Sequence, residues 1–75
     1  MCIPLENQII FTNRKAGKII NVTLERGNNG TVMIKRCNEV IVNVPMYYGG
    51  AKLADVEKGV YKKFPDWALA GIVLV

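Results

Sequence analysis

The chain has no histidine and no serine among its 75 residues. The first absence removes the side chain that titrates near neutrality and the commonest metal ligand. The second removes the commonest hydroxyl nucleophile. Only two cysteines are present, Cys2 and Cys37, too few for a closed zinc site unless carboxylates or a second subunit complete it. The apolar tail Ala68 to Val75 has eight residues, far short of the roughly 20 that carry a helix across a bilayer. No membrane segment is expected. Acids are scarce too: ten Lys and Arg are an ordinary complement for this length, so the net charge of +4 arises from having only six Asp and Glu.

These absences argue against an enzyme, and no catalytic residue, metal or cofactor is expected. Cys37 follows Arg36, and a neighbouring cation can activate a thiol, but the chain has no imidazole to assist it. Gly17-Lys18 looks like the end of a phosphate-binding loop. That pattern requires a glycine five positions earlier and a hydroxyl residue after the lysine, and those places hold Thr12 and Ile19.

What is present describes a globular chain. Apolar residues make up 51% and charged residues 21%, which excludes a disordered polymer and fits one small domain over residues 1–75. A chain this short buries only about 60% of the surface it exposes when unfolded, so its stability is small or shared with a partner. Met1 to Glu6 lack the basic start and apolar stretch of a secretory signal, which leads to the expectation of a cytoplasmic protein with two free thiols.

Period-two alternation dominates the first two thirds. Ile20, Val22 and Leu24 alternate with Asn21, Thr23 and Glu25, Val32 and Ile34 with Met33 and Lys35, and Val40, Val42 and Val44 with Ile41 and Asn43, while Gln8 to Thr12 reads as an earlier strand. A two-residue Asn29-Gly30 turn would set Leu24 against Lys35. A three-residue loop of Asn28, Asn29 and Gly30, with Gly30 at positive φ, sets Leu24 against Ile34 and keeps one apolar face. The same parity places Ile34 opposite Val40 and Lys35 opposite Glu39, with Arg36 to Asn38 as the next loop and Met33 and Ile41 facing outward. Pro45 ends the last of these strands and Met46 to Gly50 bend. A helix follows from Ala51, stopping at Gly59 or continuing to Phe64 before Pro65. Ile72 to Val75 suit a strand buried on both faces or at a subunit contact. The expected fold is mainly β (α+β): a small antiparallel sheet or SH3-like barrel of four to five strands, with one short helix before the last strand.

Two constellations suit a binding surface. Arg14, Lys15 and Lys18 crowd the first turn, where they can meet phosphate oxygens, an acidic protein patch or water alone. In Tyr61 to Trp67, Lys62 and Lys63 interleave with rings as in single-strand nucleic-acid platforms, unless Phe64 and Trp67 fill the core. Tyr47 and Tyr48 are adjacent and point opposite ways in extended backbone, so one ring is expected on the surface, where tyrosines anchor protein contacts. The resulting expectation is a small non-enzymatic protein that binds and modulates a larger partner, foremost a protein. The alternative is a basic nucleic-acid-binding β module. A homo-oligomer through the C-terminal strand is a further option.

Overall fold

The computed structural model describes residues 1–74. Its elements run in chain order β1 (Cys2–Pro4), β2 (Gln8–Asn13), β3 (Ile19–Arg26), β4 (Thr31–Arg36), β5 (Glu39–Pro45), β6 (Gly50–Lys52), α1 (Leu53–Lys63) and β7 (Trp67–Val73). Four alternating segments form the meander β2 to β5, and β7 returns to lie beside β2, giving the antiparallel order β5-β4-β3-β2-β7. β1 and β6 pair separately as a short antiparallel ribbon. The protein is therefore mainly β, with a five-stranded sheet and one short helix before the last strand.

The sheet curls. Arg36 ends β4 and Trp67 begins β7, with β3 and β2 between them in the sheet, yet the guanidinium lies 5.5 Å from the indole centroid. α1 spans the concave side and touches both edge strands: Lys63 Nζ donates to the Ile41 carbonyl of β5 at 3.1 Å, and Tyr61 Oη accepts from the Leu69 N–H of β7 at 2.9 Å. The alternating apolar residues of the strands meet Val56 and Val60 of the helix in one core.

The β3–β4 hairpin has the expected register, with Leu24 opposite Ile34. Gly27 N–H donates to the Thr31 carbonyl at 2.9 Å, leaving Asn28, Asn29 and Gly30 as the loop, and Gly30 has φ +72°. The next hairpin departs from expectation. Its turn is the two residues Cys37 and Asn38, at φ +50° and +68°, the left-handed pair that suits the twist of a tight hairpin. Arg36 thus faces Glu39, and Lys35 faces Val40 rather than Glu39. An extra residue then enters β5, so Ile34 pairs with Val42. A bulge reverses the in-out parity of everything beyond it. Ile41, expected outside, turns into the core at 8% exposure, and Lys35 forms its ion pair with Glu25 at 3.3 Å.

Gly59 does not stop the helix, which runs on to Lys63 and ends before Pro65. A Cβ at Gly59 would lie 2.8 Å from Val42 Cγ2, so the missing side chain lets α1 approach β5. The last strand begins at Trp67 and is a sheet edge, not a strand buried on both faces. The Val75 end of the expected strand lies outside the described residues. Among those residues, no helix is long and apolar enough to cross a membrane.

Two glycines separate steric from torsional cost. A Cβ on Gly50 would collide with the Ile3 carbonyl and the Pro4 Cα across the β1–β6 ribbon, whereas one on Gly30 meets nothing within 4 Å. Gly50→Ala is expected to destabilise the domain by about 3 kcal/mol. Gly30→Val should cost about 1 kcal/mol through its positive φ alone. Urea unfolding midpoints measure both, and equal shifts would contradict this assignment.

Candidate functional site

Antiparallel strands carry the chain back and forth between two ends of the domain. One end gathers the β2–β3 turn, the β4–β5 turn and the α1–β7 connection; the other gathers the β3–β4 loop, the β5–β6 turn, the N-terminus and the end of β7. At the first end stand Arg14, Lys15, Lys18, Arg36, Lys62 and Lys63, with Glu39 and Asp66 as the acids. Six cations less two acids make +4, the whole net charge of the chain; elsewhere Arg26, Lys35, Lys52 and Lys58 cancel Glu6, Glu25, Asp55 and Glu57.

Local chemistry builds this end. The Asn13 side-chain carbonyl accepts from the N–H groups of Lys15 and Ala16, both at 3.0 Å, and Gly17 N–H closes on the Asn13 carbonyl at 2.7 Å. The tight turn leaves Arg14, Lys15 and Lys18 exposed. The Arg14 N–H donates to the Asp66 carbonyl at 2.8 Å, so the two candidate constellations, some fifty residues apart, become one surface. Lys15 Nζ lies 3.7 Å from an Asp66 carboxylate oxygen, an exposed pair that contributes little and can yield to a ligand. Lys62 and Lys63 occupy the last turn of α1, where unpaired helix carbonyls favour cations.

The rings at this end face inward. Trp67 is 4% exposed and cannot serve as a surface anchor. Phe64 stacks on it at 4.3 Å with 12° between planes, Phe11 lies 6.0 Å away and Arg36 stands over it. Lys63 Nζ lies 5.7 Å from the Phe64 centroid. The core-filling reading of Phe64 and Trp67 is therefore the one the structure shows. Arg36 joins the site as a residue the sequence did not single out, because its position depends on the two-residue turn and on the curl of the sheet.

Tyr47 and Tyr48 lie at the opposite end. Tyr47 and Gly50 exchange backbone hydrogen bonds of 2.7 and 2.9 Å around Tyr48 and Gly49, both at positive φ. Neither ring enters the core, and Tyr48 is 97% exposed. Lys52 Nζ sits 4.3 Å from the Tyr47 centroid, and Cys2 Sγ donates to the Tyr47 carbonyl at 2.9 Å. Met1 and Leu74 add exposed apolar surface at this end. Cys2 and Cys37 are free thiols at opposite ends of the domain.

The placement of Trp67 has a direct consequence. Trp67→Ala should lower the unfolding free energy by about 4 kcal/mol, the range for emptying an aromatic core position. Chemical denaturation checks this, and an undiminished stability would put the Trp67 ring on the surface instead.

Comparison with known proteins finds no matching family model, no matching curated protein and no matching solved structure.

Proposed function

We propose that this protein is a non-enzymatic binding module that docks its cationic end on the phosphate backbone of a nucleic acid. The observation that supports this reading is the gathering of the entire net charge in and beside three chain connections at one end. Lys and Arg that neutralise phosphates release condensed counterions, a driving force independent of base sequence. The buried Trp67 and its stacked neighbour Phe64 leave no free indole for bases, and no helix among the described residues protrudes to enter a groove, so backbone contact is the mode that fits. The two free thiols suit a reducing compartment such as the cytoplasm.

A second reading, docking on a protein and modulating it, draws on the exposed Tyr48 and the neighbouring Tyr47–Lys52 contact. Because the two candidate surfaces occupy opposite ends, substitutions separate them. Binding isotherms with a mixed-sequence duplex at several salt concentrations are the test. Reversing Arg14, Lys15 and Lys18 to Glu should weaken binding on every sequence and flatten the salt dependence by about 0.9 for each phosphate no longer neutralised. Tyr48→Ala should leave that binding unchanged. Indifference to the charge reversal would overturn the nucleic-acid reading. With a protein partner, Tyr48→Ala should instead cost about 2 kcal/mol of binding, while charge reversal alters mainly the association rate.

A further inference from the structure

Each open edge of a sheet is a template for another strand, and the edges of the five-stranded sheet are β5 and β7. β5 is obstructed. Lys63 Nζ takes the Ile41 carbonyl, an extra residue interrupts the strand beside it, and Pro45 at its end has no N–H to donate. The first half of β7 is obstructed as well. Trp67 N–H donates to the Phe64 carbonyl at 3.1 Å, Leu69 N–H donates to Tyr61 Oη at 2.9 Å, and the register then shifts at a bulge opposite Ile10 and Phe11.

Beyond that bulge the edge changes character. Gly71, Ile72 and Val73 pair with β2 on one side, and among the described residues no hydrogen bond outside the ladder reaches them. No charged residue or proline stands between Gly71 and Leu74 to discourage pairing. Val73 is 43% exposed and Leu74 66%. The segment thus combines a free backbone edge with uncovered apolar side chains.

We propose that this open half of β7 pairs with the same segment of a second copy, antiparallel about a two-fold axis. The segment is uncharged and lies away from the cationic end, so a second copy can meet it without like-charge contact, and charge selects the orientation. β7 runs from the cationic end towards the aromatic end, so antiparallel pairing over its final residues sends the two +4 ends to opposite poles of the dimer. A parallel arrangement, or contact through the turns at the other end, would set like charges against each other. The self-complementary contact closes as a dimer, leaves the five-stranded sheet of each copy with only its obstructed β5 edge, and covers Val73 and Leu74 of both copies.

Sedimentation equilibrium from micromolar to millimolar protein tests the assembly. The full chain should dimerise, whereas Leu74→Glu, which lies outside the ladder, and Val73→Lys should remain folded by circular dichroism and sediment as monomers. Geometry is read by a spin label on Cys37 in a Cys2→Ser background. The label-to-label distance in the dimer should exceed 34 Å, the longest dimension of one domain. A wild-type chain that stays monomeric throughout, a dimer that survives both substitutions, or a label distance below 34 Å would each overturn the proposal.

Discussion

The pairing of β7 with β2 is the contact on which the rest of the molecule depends. It sets Trp67 opposite Asn13 and Leu69 opposite Phe11, joining the last strand to the first long one across most of the chain. Closing so long a loop costs entropy, and the closure is offset where the aromatic cluster forms: Phe11 lies edge-on to Tyr61 at 6.1 Å and tilted against Trp67. The same pairing holds α1 over the curled sheet and brings Asp66 to the turn after Asn13. Without it the meander would keep its local hairpins, but the core would lose its lid and the cationic end would separate into two unrelated segments.

The parts of the fold legible in the sequence are those in which local geometry and burial agree. Leu24 and Ile34 share a face only if the loop contains Asn28 to Gly30, so parity alone decides that hairpin. The following one is not legible by the same reasoning, because the bulge at Ile41 changes parity inside β5 and leaves no local mark beyond one more β-branched residue. Gly59 misleads in the other direction. Its local preference is to end a helix, but the Val42 side chain opposite it makes absence of a Cβ a packing requirement. β1 and β6, at three residues each, are too short to display a period.

For the candidate site, composition exposes the residues but not their arrangement. The crowding of Arg14, Lys15 and Lys18 is visible in a linear reading, as is the alternation of rings and lysines after Tyr61. That these belong to one surface follows only from the alternation of strand direction, which returns α1 to the same end as the first turn. Adjacent Tyr47 and Tyr48 suggest one outward ring under an extended backbone. The left-handed backbone at Tyr48 breaks that premise, and both rings project from a tight turn instead.

Separation of charge along the strands makes a single copy of the chain an electric dipole as well as a cation. In the field of an anionic polymer or surface, such a body experiences a torque before it makes contact, and it arrives already turned. Screening limits this guidance to about 8 Å at physiological ionic strength, so rotation occurs in the last layer of solvent. An encounter of one copy with such a polyanion would therefore be end-on, with the face carrying Tyr48 pointing away from it.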